Sequence, residues 1–246
     1  MSDLALALRQ VGYENRVFWR NPPAAFFTFA FPLLFMAIFS VIFGRDAAAF
    51  YTPGIIVFGV VTATYTNLAL TVTIARDEGI LKRMRGTPLP LWAYLAGRIG
   101  HAIVIAILLV VAVAGFGAIA YGIEVPWEAL PVLILVLAVS AAAFSALGLA
   151  MTGFIPSADA APAIVNATIL PLLFISNVFI NMDGAPQWLN TVSRVLPVRH
   201  VADAMMALYR EGAAAGVPWT ELGVIAAWGA AGVVVALRFF TWEPRR

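Results

Sequence analysis

Six apolar segments, each close to the length of a bilayer crossing, dominate this 246-residue sequence. They cover residues 24–43, 54–74, 98–121, 131–154, 160–180 and 222–240. An α-helix rises about 1.5 Å per residue, so about 20 residues cross the roughly 30 Å hydrocarbon core. A helix also satisfies its own backbone in lipid, and the segments lack the alternation of barrel strands. We therefore predict an all-α membrane protein with six transmembrane helices.

The composition supports this prediction. Apolar residues make up 62% of the chain and charged residues only 11%, whereas about a quarter of the residues in soluble domains are charged. The first apolar segment is longer than the roughly 7–15 residues of a signal-peptide core, so we expect it to be a retained span. We predict one transmembrane domain over residues 1–246. The absence of cysteine excludes disulfides and zinc–thiolate sites.

The distribution of cations predicts that both termini are cytoplasmic. With the N-terminus inside, eleven of the fifteen Lys and Arg residues fall on the inner side: Arg9, Arg16, Arg20, Arg76, Lys82, Arg83, Arg85, Arg98, Arg238, Arg245 and Arg246. This bias is what the positive-inside rule describes. We expect a multi-pass protein of the inner or plasma membrane.

Two other segments are too polar to span the membrane and too apolar for ordinary loops. Residues 1–23 place Leu4, Leu8 and Val11 at helical spacing, which predicts an amphipathic interface helix. Residues 185–217 carry apolar positions three and four apart, divided by Pro186 and Pro197. They predict a re-entrant helical hairpin in the outer leaflet, before span six.

The most heavily charged segment, residues 76–85, lies between spans two and three. Asp77 and Glu78 precede Lys82 and Arg83, an order that suits the dipole of a short helix. Two interpretations remain open from the residues alone. The cations could anchor the loop to anionic headgroups, or the helix could bind a cytoplasmic partner.

The sequence resembles the type-2 ATP-binding-cassette (ABC) exporter permeases, in the drug-exporter branch that includes daunorubicin-resistance permeases. The resemblance is carried by EGILKRMRGTPLP at residues 78–90, YLAGR at 94–98 and LPVRHVADAM at 196–205. The order of the interface helix, the six spans and the hairpin extends it over essentially the whole chain.

This resemblance implies a role for each segment. The loop between spans two and three would be a cytoplasmic coupling helix that contacts a separate ABC ATPase through Arg76, Asp77, Glu78, Gly79, Lys82, Arg83 and Arg85. The interface helix would also touch the ATPase. A second permease copy, giving a homodimer, would complete a path for a drug, lipid or glycolipid moving outward. ATP would be bound by the partner, and this chain would need no cofactor of its own.

Polar residues within the spans are candidates for lining that path. They are Thr62, Thr66, Asn67, Thr73, Asn166 and Asn177. Such side chains also form hydrogen bonds between helices, worth about 0.6 kcal/mol each, and the sequence leaves both roles open.

Alternative functions find less support in the residues. An ion-coupled carrier or channel is the main alternative, but ion-coupled carriers keep ionisable groups inside their spans, and the interiors of these spans contain essentially none. No phosphate-binding Gly-x-x-x-x-Gly-Lys-Ser/Thr motif occurs, so we expect energy to come from another chain. A membrane-embedded lipid-modifying enzyme would need convergent acids or a Ser–His pair. His101 and His200 have no metal-ligand spacing around them. We predict a transport subunit with no catalytic residues, no metal and no nucleic-acid partner.

Overall fold

A computed structural model describes residues 3–44, 47–84, 91–182 and 184–241. Within these ranges all regular structure is helical, which confirms the predicted all-α fold. The α-helices in chain order are α1 Asp3–Trp19, α2 Pro22–Phe43, α3 Ala48–Val61, α4 Asn67–Asp77, α5 Ile80–Met84, α6 Leu91–Tyr121, α7 Leu130–Thr152, α8 Ala161–Phe174, α9 Gln187–Ser193, α10 Pro197–Glu211 and α11 Trp219–Phe239.

Five helical stretches in the described residues are long and apolar enough to cross a membrane. They are Ala25–Phe43, Ala48–Asp77, Ala93–Tyr121, Trp127–Thr152 and Trp219–Phe239. The second stretch consists of α3, a π-helical turn at Thr62–Thr66, and α4. The first, second, third, fourth and sixth apolar segments of the sequence each correspond to one of these stretches.

The remaining apolar segment, residues 160–180, forms a shorter helix than the sequence predicts. Helix α8 has 14 residues, about 21 Å of rise, which is less than the hydrocarbon thickness. Its end is followed by Asn177 in a left-handed conformation with φ of 63°. The Asn177 amide holds the reversed chain by donating to Asp203 and accepting from the backbone N–H of Met182. This turn lies beside Gly54 of α3, where an added Cβ would meet the carbonyl of Val178.

Helix α7 is central, and small residues allow its neighbours to approach closely. A Cβ on Gly148 would lie 2.7 Å from the carbonyl oxygen of Tyr65, in the π-helical turn. On the other side, Gly229 and Gly232 of α11 face Ala143 and the backbone of Leu147, with similarly short distances. Small residues permit this packing in membranes, where dispersion contacts replace the hydrophobic drive between helices.

Four segments meet at one end of the helix bundle, which we name the charged end: α1, the α4–α5 loop, the α7–α8 turn and the end of α11. Arg76 at the end of α4 contacts carbonyls that follow α7. The Phe154 ring in the α7–α8 turn packs against Phe239 at the end of α11, with centroids 5.4 Å apart. Gly97, near the start of α6, packs against Gln10 of α1.

The amphipathic segments predicted from the sequence are helical. Helix α1 covers Asp3–Trp19 and packs along the start of α6. The segment before α11 contains two short helices, α9 and α10, and the prolines Pro186 and Pro197 immediately precede or begin them. The indole of Trp228 in α11 donates to the carbonyl of Val195, which fixes the hairpin against that span.

Candidate functional site

The α4–α5 loop has an anchored side and an exposed side. Gly79 has φ of +69°, a conformation that side chains disfavour, and it turns the chain out of α4 into α5. Leu81 of α5 is fully buried in a small apolar cluster. The carboxylate of Glu78 and the cations of Lys82 and Arg83 belong to exposed residues. Because Leu81 anchors the loop, the loop presents the charges of Glu78, Lys82 and Arg83 at the charged end of the bundle.

The exposed side of this loop has defined geometry. The Arg83 guanidinium donates to the carbonyl of Glu78 at 2.9 Å, which spans the turn at Gly79. The predicted contact residue Arg85 lies outside the described residues. Three of the seven predicted coupling residues, Glu78, Lys82 and Arg83, are thus exposed together.

Arg76 does not belong to this exposed surface, although the resemblance includes it among the partner contacts. Its side chain is 1% exposed. Its guanidinium donates to the carbonyls of Thr152 at 2.9 Å, Ile155 at 2.8 Å and Pro156 at 3.4 Å. The helical end of α7 leaves carbonyls without intrahelical partners, so a buried cation is well placed there. Arg76 therefore points into the protein.

Asp77 completes this arrangement. One carboxylate oxygen lies 3.2 Å from Nε of Arg76. The other accepts the backbone N–H of Ala158 at 2.6 Å, in the turn before α8. The Asp77 side chain is 21% exposed, so most of its surface is committed to these internal contacts.

A second site is a cavity of about 380 Å³ between α1, α2, the α3–α4 span and α6. Phe27, Phe31 and Phe58 contribute apolar walls. Three of the predicted path residues, Thr62, Thr66 and Asn67, line it beside the π-helical turn. A largely apolar cavity of this size with a few convergent polar groups is typical of small-molecule sites.

Ionisable side chains also line this cavity. Arg98 Nε lies 3.5 Å from the carboxylate of Glu14, with side chains only 15% and 11% exposed. Gln10 donates to the same carboxylate at 2.9 Å. His101 is 6% exposed, and its Nδ1 has no hydrogen-bond partner among the described residues. Arg98 and His101 are the first and fourth residues of the predicted third span, so they lie at its end and in the first part of α6.

The other three predicted path residues lie away from the cavity. Thr73 is fully buried, and its hydroxyl donates to the carbonyl of Ala69. Asn166 is exposed on α8. Asn177 holds the turn after α8 through Asp203. Helical spacing places Thr66 and Thr73 near one face, but the cavity ends before that turn of α4.

Sequence reasoning missed Glu14, Arg98 and His101 as a group. Glu14 is in an N-terminal helix, and the other two are in a span more than 80 positions later. A sequence signal was present, because Gly97 and Gly100 lie on the α6 face that α1 packs against. Small residues on one face of a membrane helix allow a neighbouring helix to approach closely.

Comparison with known protein families identifies the family of this chain. Residues 11–209 match the family described as "ABC-2 type transporter". The matched range begins within α1 and ends within α10, so it includes the α4–α5 loop and the cavity.

Two proteins similar in sequence to this chain are named as ABC transporter permeases. The chain is 21% identical over 178 residues to the probable multidrug ABC transporter permease YbhR of Escherichia coli K12, covering 72% of this chain and 48% of that protein. It is 30% identical over 186 residues to the daunorubicin resistance ABC transporter permease protein DrrB1 of Streptomyces coeruleorubidus, covering 70% and 64%. The chain thus spans about half the length of the first relative and just under two thirds of the second.

Proposed function

This chain belongs to the ABC-2 type transporter family, and we propose that it exports amphipathic molecules with energy from a separate ATPase chain. Membership, the apolar helices and the permease relatives make it a multi-pass membrane subunit of an ABC transporter. The ATPase partner, the outward direction and the cargo are the proposal.

One observation supports the ATPase contact most directly: Glu78, Lys82 and Arg83 are exposed together on an anchored loop. An exposed loop alone could bend away from a partner without moving the spans. Here Leu81 is buried and the chain on either side belongs to long helices. A force applied to the exposed charges would therefore reach the α3–α4 span and α6.

We place the charged end on the cytoplasmic side of the plasma membrane. The described cations Arg9, Arg16 and Arg20, in or just after α1, are near this end, as are Arg98 and Arg238. The positive-inside rule assigns such an end to the cytoplasm. Helix α1 packs on the start of α6, and the end of α11 packs on the apolar cluster that includes Tyr94 of α6, which supports the same side for both termini.

The cavity is our proposed cargo site within one protomer. Its phenyl walls would hold an apolar body, and Thr66, Asn67 and His101 would offer hydrogen bonds to a polar head. Because the carboxylate of Glu14 offsets the charge of Arg98, the lining has little net charge. A drug or lipid with both polar and apolar parts suits such a lining.

A second copy of the chain would cover the exposed face of α8 that carries Asn166. Asn166 is exposed on this apolar helix, and an amide facing lipid would lack hydrogen-bond partners. A homodimer would give that amide protein or cargo contacts on a path between the copies.

The function can be tested by reconstituting the chain in liposomes with the ABC ATPase encoded nearest to its gene. Daunorubicin, which appears in the name of one relative, is a fluorescent and amphipathic probe. We expect ATP-dependent accumulation of daunorubicin only when both chains are present. Uptake driven by a proton or sodium gradient without nucleotide would contradict the proposal and favour an ion-coupled carrier.

A Thr66→Phe substitution tests the cargo site separately. The added ring would occupy part of the cavity, and we expect daunorubicin to bind about tenfold more weakly. Binding would be measured by fluorescence titration of the purified chain. The matched control is Thr220→Phe, at an exposed position at the start of α11. Equal affinity of Thr66→Phe and wild type would exclude this cavity as the site.

A further inference from the structure

Arg76 and Asp77 hold the α7–α8 turn from both sides. The Arg76 guanidinium donates hydrogen bonds to the carbonyls of Thr152, the last residue of α7, and of Ile155, in the turn after it. The Asp77 carboxylate accepts a hydrogen bond from the backbone N–H of Ala158, just before α8 begins. Arg76 and Asp77, two adjacent residues of α4, are therefore hydrogen-bonded both to the end of α7 and to the turn that leads into α8.

The chemistry of this connection makes it stiff. A planar guanidinium fixes several carbonyl directions at once, which a single ammonium group cannot do. The carboxylate also orients the guanidinium, since its second oxygen lies 3.2 Å from Nε of Arg76. Because Arg76 is 1% exposed, water is excluded from replacing its bonds during a small displacement.

The position of the pair relates it to the exposed charges. Asp77 is the last residue of α4, and Glu78 follows it directly. Leu149, in the last turn of α7, shares the apolar cluster that buries Leu81. The loop is thus joined to α7 by apolar packing on one side and by the Arg76–Asp77 bonds on the other.

We propose that Arg76 and Asp77 form a strut that transmits displacement of the α4–α5 loop to α7 and α8. They are positioning residues, acting through the turn, and the partner contacts are left to the exposed charges. The strut rests on the proposed function, since it needs an ATPase to move the loop. Farther along α8, Thr168 shares a hydrogen bond with Tyr65 of the π-helical turn, so a displacement of α8 would also reach the α3–α4 span.

A purely structural cap would give a different result from a strut. A cap stabilises the fold, and its loss lowers the amount of folded protein and all activities together. A strut determines how much transport each hydrolysed ATP produces. The ratio of transport to hydrolysis in the assembled complex therefore separates the two roles.

The first test is Arg76→Lys in the complex with its ATPase, reconstituted in liposomes. Lysine keeps the charge but loses the planar fork, so we expect normal co-purification and hydrolysis with about tenfold less daunorubicin moved per ATP. Arg210→Lys, an exposed position on α10, is the matched control. An unchanged transport-to-hydrolysis ratio in Arg76→Lys would overturn the strut.

The second test replaces the strut covalently, which the cysteine-free sequence permits. Asp77→Cys with Ala158→Cys should lose transport per ATP when reduced. Joining the thiols with a short bifunctional reagent should restore about half or more of the wild-type ratio, because a rigid link replaces the lost bonds. Failure of the joined chain to recover would overturn the strut. If the wild-type complex itself shows no ATP-driven transport, the proposed function fails first.

Discussion

Reversing the three exposed charges of the α4–α5 loop should abolish ATP-driven transport while leaving the chain folded. The variant is Glu78→Lys, Lys82→Glu and Arg83→Glu. These side chains are exposed, so their replacement disturbs little internal packing. Like charges placed against a complementary partner cost several kcal/mol, and we expect binding of the ATPase to weaken about 100-fold.

The measurement is co-purification with the ATPase, followed by transport in liposomes. A matched control reverses Glu128, Arg194 and Arg210, which are exposed and distant from the loop and give the same change in net charge. Charge reversal at these positions should leave binding intact. If the loop variant binds and transports like wild type, the contact residues proposed for the ATPase are wrong, and a headgroup anchor becomes the better interpretation of the loop.

Gly148→Leu should prevent stable packing of α7 against the second span. Even a Cβ there would lie 2.7 Å from the Tyr65 carbonyl oxygen and 3.1 Å from its Cα. Both atoms are backbone, so no rotamer change relieves the overlap. Overpacking of this kind costs about 1–3 kcal/mol or more, and we expect the melting temperature to fall by at least about 5 °C.

The matched control is Gly115→Leu in α6, where no atom lies within 4 Å of the added Cβ. Melting of the detergent-solubilised chains, followed by tryptophan fluorescence, should show a decrease for Gly148→Leu alone. Equal melting temperatures for the two variants would show that α7 and the π-helical turn are not packed as described.

The helices of this fold are predictable from sequence because lipid imposes one requirement on every span. A run such as residues 131–154 must satisfy its own backbone, and a helix is the way to do so. The length of α8 was not predictable in the same way. Its apolar run extends to residue 180, but the chain reverses at Asn177 through a side-chain bond to Asp203, a contact 26 positions away.

The functional residues were likewise predictable where local sequence determines their position and unpredictable where distant contacts do. The charge and spacing of Lys82 and Arg83 predict an exposed helical face, and these residues are exposed. The inward direction of Arg76 depends on carbonyls 76 to 80 positions later, about which the local pattern carries no information. The Glu14–Arg98 pair at the cavity likewise requires α1 to pack on α6.

The short helix α8 has a consequence for the lipid around it. Helix α7, with 23 residues, rises about 35 Å, whereas α8 rises only about 21 Å before the chain reverses. A helix shorter than the hydrocarbon core is accommodated by thinning of the bilayer, by snorkelling of flanking side chains or by association with other helices. We expect association for α8, whose exposed face carries Asn166, so a second copy rather than deformed lipid would compensate for its short length.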